Sequence, residues 1–303
     1  MNILQSPAWE KFQKSLNRTT FTDSGPGWSY LAILEHTPLG PYLFVPRGPS
    51  FSDPKDFKSA LTSLKTLAQK QSAIFIRIEP ELPAPALKNL QKVKSINPEH
   101  TWILDLSSDK STLLANMKQN NRNLYNNHTK KGLAIEHTQD PAKIHHLTSL
   151  LQGVAQHNKI NIFDENYLKK QLEAGFATLY LATYNKEVIA AALIYDDKTT
   201  RYYAHAAADY EHRGLSAGTI LLAQIILDTK SAGKKSFDFW GIAPENAPKN
   251  HPWRGFTKFK KSFGGSPLTY PGTFDLVLSR PKYLAYTLVR PINLFLRRLI
   301  KPR

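Results

Sequence analysis

Apolar residues in this chain switch between helical spacing and short continuous runs, and the switch happens in the same order twice. Ser6-Pro7 predicts a helix start, with Ser6 as cap and Pro7 in the first helical position. Trp9, Phe12 and Leu16 then share one face. Ser29 to Glu35 and Tyr42 to Val45 read as strands around a Gly40-Pro41 turn, and the second runs into Pro46-Arg47-Gly48-Pro49. Asp53-Pro54 opens a helix with Phe57, Leu61, Leu64 and Leu67 at helical spacing. Ala73 to Ile78 is a buried strand stopped by Glu79-Pro80, and Lys88 to His100 is a polar connector.

A second unit begins at the strand Thr101 to Leu106. Ser108 is placed to cap a helix through Leu113, Leu114 and Met117, which runs on through a basic, asparagine-rich tract to a C-cap at Gly132. Helices are expected over Pro141 to Gln156 and Tyr167 to Ala174. Three apolar runs follow, Ala177 to Thr183, Val188 to Tyr195 and Thr200 to Ala206, separated by polar turns as in a meander. An Arg213-Gly214 loop, a helix from Thr219 to Ser231 and a strand from Ser236 to Ile242 complete the repeat. A proline-rich loop, Ala243 to Arg254, leads into Phe256 to Gly265, where aromatic and basic residues alternate before a glycine pair. This loop is expected to close over a channel between the units. The fold class is α/β (α+β), with two mixed-sheet domains side by side. Domain 1 spans 1–98 and is completed by a C-terminal return, 271–303; domain 2 spans 99–270.

Composition narrows the chemistry. Hydrophobic content of 41% over 303 residues supports real cores. The chain has no cysteine, which excludes disulfides, thiolate zinc sites and a cysteine nucleophile, and suits a reducing cytoplasm. A formal charge of +16 attracts nucleic acid, anionic lipid or polyphosphate, or reflects a cell whose proteins are basic throughout. No signal peptide and no membrane-spanning run is expected. The tail, Arg280 to Arg303, mixes seven cations with leucines, isoleucines and tyrosine and has no acid. It reads as a basic amphipathic segment for an anionic membrane surface, or as one whose apolar face packs on the protein.

Taken together, these motifs resemble the FemABX peptidyltransferases of peptidoglycan interpeptide-bridge synthesis, a family similar to paired GNAT-like acetyltransferase domains. The resemblance runs from Gln5-Ser6-Pro7-Ala8-Trp9 through Pro46-Arg47-Gly48-Pro49, Arg77-Ile78-Glu79-Pro80, Leu104-Asp105-Leu106 and Met117-Lys118 with Arg122 and Lys130-Lys131-Gly132. It continues through Arg213-Gly214-Leu215-Ser216-Ala217, Asp238-Phe239-Trp240-Gly241-Ile242, Phe259 to Gly265 and Tyr270-Pro271-Gly272. It implies two GNAT-like domains. No long heptad insertion interrupts the second unit, so no coiled-coil arm is expected. It further implies transfer of an amino acid from aminoacyl-tRNA to the amine of a lipid-linked or UDP-linked muropeptide, in cell wall biogenesis, without metal or nucleotide cofactor. The expected place is the cytoplasm, peripheral at the inner face of the plasma membrane.

The resemblance assigns residues unevenly. Phe259-Lys260 matches a phenylalanine-lysine pair near the tRNA end and the reacting carbonyl. Tyr203 matches a substrate-side tyrosine. His205 stands two residues on, on the same strand face by alternation, where the family can show another tyrosine. Glu79 replaces an aspartate and Gln13 a lysine, and Phe163 replaces an arginine four residues before Tyr167. Lys260 is then the cation for the oxyanion or a tRNA phosphate, and Glu79 or His205 the group that takes the amine's proton. Arg122, Lys130, Lys131, Arg213, Lys258 and Lys261 are candidates for the tRNA backbone.

The same residues also fit ordinary roles: Lys260 a solvated charge, Glu79 a turn salt bridge, His205 a buried ring satisfied by backbone, Tyr203 core. An N-acyltransferase using acyl-CoA would share the fold, but its pyrophosphate loop wants glycine at Ser216. A non-catalytic module for RNA or anionic membrane is the third alternative.

Overall fold

The computed structural model describes residues 2–83, 90–158 and 162–289. The chain opens with α1 (Pro7–Ser15), β1 (Thr20–Gly25), β2 (Trp28–Thr37), β3 (Gly40–Val45), β4 (Ser50–Phe51), α2 (Pro54–Lys70), β5 (Phe75–Ile78) and β6 (Leu90–Val93). There follow β7 (His100–Asp105), α3 (Lys110–Asn116), α4 (Gln119–Asn126), β8 (Leu133–Thr138), α5 (Ile144–Asn158), α6 (Glu165–Glu173), β9 (Ala177–Tyr184), β10 (Glu187–Asp196) and β11 (Thr200–Ala208). The last are α7 (Ala217–Ser231), β12 (Ser236–Gly241), α8 (Arg254–Lys261), β13 (Ser266–Thr269) and β14 (Thr273–Val277). Two compact units result, Met1–Glu99 with Tyr270–Arg303, and His100–Thr269.

In the first unit the strands order as β1-β2-β3-β5-β14-β6, with β4 also on β2. Only β3 and β5 run parallel among these pairs. The connector Lys88 to His100 contains a strand: β6 pairs with β14, and its polar Gln91 and Lys92 are both exposed on an edge where apolar residues are not required. The insertion of β14 is fixed by a buried pair, Arg77 giving Nε and Nη2 to the two Asp275 oxygens at 2.7 Å each. Gln5 explains one shared motif: its amide is bonded to both backbone groups of Leu31 and, at 2.5 Å, to the Pro46 carbonyl.

The second sheet orders as β13-β7-β12-β11-β10-β9-β8. Its principal core lies on the face covered by α3 and α7, where Leu104, Ala192, Ile194, Phe237 and Phe239 meet Ile220, Ile226 and Phe263. The single helix expected from Ser108 onward is two. Asp109, not Ser108, caps α3 through the Thr112 N–H (2.7 Å). The chain breaks at Met117, where the Ser262 carbonyl accepts from Lys118 N–H (2.8 Å), before α4 begins.

The longest helix among the described residues is α2, with 17 residues, and no coiled-coil arm interrupts either unit. None is long and apolar enough to cross a membrane. Residues 280–289 are helical. Tyr283 and Tyr286 pack on Phe75, with Tyr286 also against Tyr42, while Leu284 and Leu288 stay 62% and 65% exposed. The remainder of the basic tail, residues 290–303, lies outside the described residues.

Candidate functional site

The second sheet opens where its parallel pair ends. β11 and β12 pair from Thr200↔Ser236 to Tyr202↔Asp238 and no further, although both strands continue. β12 also slips against β7 between Asp238 and Gly241. Asp238 makes the turn. Its Oδ1 accepts from the Trp240 N–H (2.7 Å) and from the Thr101 hydroxyl, which also lies 2.9 Å from the Trp240 carbonyl. Trp240 is held at φ +64°, a left-handed conformation that non-glycine residues rarely adopt. The outer ends of diverging parallel strands are where α/β sheets bind ligands.

The basic-aromatic segment before the glycine pair is a helix, α8, and its periodicity sorts the residues. Phe259 turns to the core, edge-on to Phe263 at 5.3 Å. Lys260 is half-buried and donates from Nζ to the Gly241 carbonyl (2.6 Å). Burial lowers its pKa to about 8, against the opposing pull of the Asp238 charge. Arg254, Lys258 and Lys261, at i, i+4 and i+7, share another face. With Lys118 and the single acid Glu245 they line a groove of about 520 Å³ under the proline-rich loop. The loop is tied to α8 where the Ala243 N–H donates to Thr257 Oγ1 (2.8 Å). Lys261 also lies 4.9 Å over the Trp102 ring.

Tyr203 and His205 do not share a face. β11 bulges at Ala204, so that Tyr203 sits opposite Ile194 and His205 opposite Leu193, its neighbour. The extra residue cancels the alternation. Tyr203 joins the α7-side core near Phe237, and burial raises its pKa. His205 faces the other way, its Nε2 at 2.9 Å from the Tyr195 hydroxyl, which donates to Gln171 Oε1 at 2.9 Å. Burial lowers the His205 pKa to about 4, so the ring is neutral at neutral pH. Phe163 stacks on Tyr167 at 4.6 Å and sets its ring edge to face with His205 at 5.2 Å. Tyr195 in turn meets Trp240 at 6.2 Å. An aromatic wall thus runs from Tyr167 to the sheet opening.

Other expected site residues have local partners. The Arg122 guanidinium turns onto the end of α3, with Nη1 at 3.0 Å from the Ala115 carbonyl, as a helix C-cap. Lys130 and Lys131 lie on a short turn, Thr129–Lys131, Lys130 fully at the surface. Arg213 is exposed and lies over Tyr210 at 4.4 Å. In the first unit, Glu79 is 2% exposed and its carboxylate accepts from Ile96 N–H, Asn97 N–H, Asn97 Nδ2 and the Thr273 hydroxyl. Four donors on one buried carboxylate make a fastening of the β5 end to the 95–97 turn and β14. Gln13 is 1% exposed and bonded to Arg18 (3.0 Å).

Asp238, Trp240, Thr101, Tyr195 and Gln171 were not among the expected site residues. The signal for the first was present: Asp238 is the one charge in an otherwise apolar strand, Phe237 to Ile242. Among the described residues no group of three His, Asp or Glu side chains is placed to hold a metal ion.

Two mixed sheets with their flanking helices define the fold class, α/β (α+β). A FemAB family model matches residues 107–290, and the chain belongs to the FemAB family. The structure is similar to that of FemX, with TM-score 0.83 over 95% of this chain and 94% of that one, at 16% identity. It is also similar to L-PGS from Bacillus licheniformis, with TM-score 0.61 over 95% and 99% of the two chains, at 15% identity. At such identities the likeness is one of fold. No curated protein sequence matches the chain.

Proposed function

We propose that the chain transfers an amino acid from aminoacyl-tRNA to the amine of a peptidoglycan-precursor stem peptide, forming part of an interpeptide bridge. The observation that carries the proposal is Lys260, a half-buried cation at the opening of the sheet beside a groove lined by four further cations. The groove suits the phosphates of a tRNA acceptor end, for which a row of lysines and arginines supplies most of the affinity. The name of another similar structure, the C-terminal domain of a putative lysylphosphatidylglycerol synthetase from Agrobacterium fabrum (TM-score 0.62), is in keeping with aminoacyl transfer.

The donor ester is already activated. The acceptor amine, having lost its proton, adds to the ester carbonyl, and the electron pair moves onto oxygen. That oxyanion collapses to the amide as the ribose oxygen leaves, taking up the proton that the attacking nitrogen gives up. Lys260, with its pKa near 8, is mostly charged at pH 7 and is suited to neutralise the oxyanion. Neutral His205 and the aromatic wall of Phe163, Tyr167 and Tyr195 suit the acceptor side. A base with a pKa near 4 takes a proton poorly from an alkylammonium, so His205 serves as a hydrogen-bonding wall. Glu79, with its oxygens occupied, is assigned the fastening role. Arg280 and Lys282, beside the exposed Leu284 and Leu288, are the described part of a contact with anionic lipid, which would hold the chain at the inner face of the membrane where a lipid-linked precursor lies.

The test is transfer of radiolabelled amino acid from charged tRNA to lipid-linked and to UDP-linked precursor. RNase-sensitive incorporation that falls about 10²–10³-fold in Lys260→Ala is expected. Absence of RNase-sensitive transfer with a full set of charged tRNAs refutes the proposal. Stabilisation by acetyl-CoA in that case favours an acyl-CoA N-acyltransferase. Lys260→Ala binding tRNA no worse than any surface-lysine variant, with no transfer by either protein, favours a binding module.

A further inference from the structure

We propose that Asp238 is a positioning residue for Lys260: it sets the carbonyl against which the ammonium is aimed and supplies the counter-charge that keeps it an ammonium. The proposal rests on the aminoacyl-transfer role of Lys260.

Asp238 is 3% exposed, between Phe237 and Phe239, both fully buried. A carboxylate in such a place is costly unless it is bonded and opposed by a positive charge. Its bonds account for the backbone. By accepting from Trp240 N–H it closes a tight turn, and Thr101, bonded to both Asp238 and the Trp240 carbonyl, locks the turn to β7. The left-handed Trp240 that results swings the next carbonyl, Gly241, toward α8, where Lys260 meets it at 2.6 Å. Asp238 acts on Lys260 through this turn and through its charge.

The charge matters because burial opposes the ammonium. The other charged groups on and around α8, Arg254, Lys258, Lys261, Lys118 and Glu245, line the groove on another face. The influences that set the Lys260 proton affinity are burial, which lowers it, and Asp238, which raises it. Without the aspartate charge, the lysine would lose its proton within the neutral range and could no longer meet a developing oxyanion.

Asp238→Asn separates the two functions. Asparagine keeps an oxygen to accept from Trp240 and Thr101 and removes the charge. The full chain, wild type and variant, is acylated briefly with acetic anhydride across pH 6–10, and the modification of Lys260 is read by mass spectrometry. The midpoint of Lys260 reactivity is expected to fall by about one pH unit or more in Asp238→Asn. The alkaline limb of the transfer rate should move by the same amount, while tRNA binding stays unchanged. An unmoved midpoint, or a moved midpoint whose transfer limb does not follow, overturns the proposal. Thr101→Val covers the case in which Asp238→Asn does not fold. Stripping a donor from Asp238 strengthens its field, so the midpoint should rise, and an unmoved midpoint again overturns the proposal. If wild type shows no RNase-sensitive transfer, the function reading has failed. The labelling curves then still decide separately whether Asp238 controls the lysine.

Discussion

Lys260 should make the fold less stable than methionine would. The lysine pKa falls from 10.5 to about 8 in the folded chain, a difference of 10.5 − 8, or about 2.5. At 1.36 kcal/mol per pK unit the folded state is disfavoured by about 3 kcal/mol wherever the amine is charged. Methionine fills a similar volume without the charge. The lost bond to the Gly241 carbonyl returns about 1 kcal/mol, leaving Lys260→Met more stable by about 2 kcal/mol at pH 7. The pH dependence carries a definite sign. With the folded pKa below the unfolded one, the penalty is complete below pH 8. It disappears between pH 8 and 10.5, where only the unfolded chain still holds the proton. Urea denaturation followed by tryptophan fluorescence, at half-unit steps from pH 7 to 10.5, should therefore show two curves that draw together as pH rises and cross near about pH 10, where the remaining penalty equals the roughly 1 kcal/mol of the lost bond. A methionine variant no more stable than wild type at pH 7, or a gap independent of pH, would refute the account of Lys260 as a cation held against burial. Transfer activity should be lost in the same variant, so the two properties part company at one residue.

Four further outcomes follow from other parts of the molecule. Gly265→Ala puts a Cβ 2.4 Å from the Ile103 carbonyl oxygen at a backbone φ of +96°, and should cost about 2–3 kcal/mol by chemical denaturation. Asp275→Ala leaves Arg77 buried and unpaired and should cost about 3–5 kcal/mol, part of which an Arg77→Met/Asp275→Leu double variant recovers. His205 binds its proton less tightly when folded, so stability should fall as pH drops from 6.5 toward 4. His205→Gln should flatten that limb of a melting-temperature profile. Leu284→Glu with Leu288→Glu should weaken cosedimentation with phosphatidylglycerol vesicles several-fold while leaving stability within about 0.5 kcal/mol, because both side chains are mostly exposed.

The helices and buried strands were legible wherever a pattern had a core to answer to. Phe57, Leu61 and Leu64 of α2, and Ile76 and Ile78 of β5, lie in the first-unit core as their spacing requires. Edge strands were not legible: β1, with exposed Thr22, Asp23 and Ser24, and β6, with exposed Gln91 and Lys92, owe their form to backbone pairing. The same holds at the site. Lys260 stands out because it lies in a segment that resembles a family motif, and the aromatic-basic alternation around it concealed a helix whose faces divide core, buried lysine and groove. Asp238 was visible only as an isolated charge, since its role comes from a turn that no periodicity announces. The contact of Arg122 with the end of α3 was hidden for a related reason: a cation in a basic tract gives no hint that a helix end lies within reach.

The bulge at Ala204 makes β11 two strands in function, spliced out of phase. Upstream of the splice, Tyr203 answers to the packing of α7; beyond it, His205 answers to Tyr195 and Phe163. Substitutions at these neighbouring positions are thereby decoupled. His205 can change without disturbing the core at Tyr203, and a deletion of Ala204 would only straighten the strand, leaving Tyr203 opposite Ile194 and His205 opposite Leu193 on their separate faces.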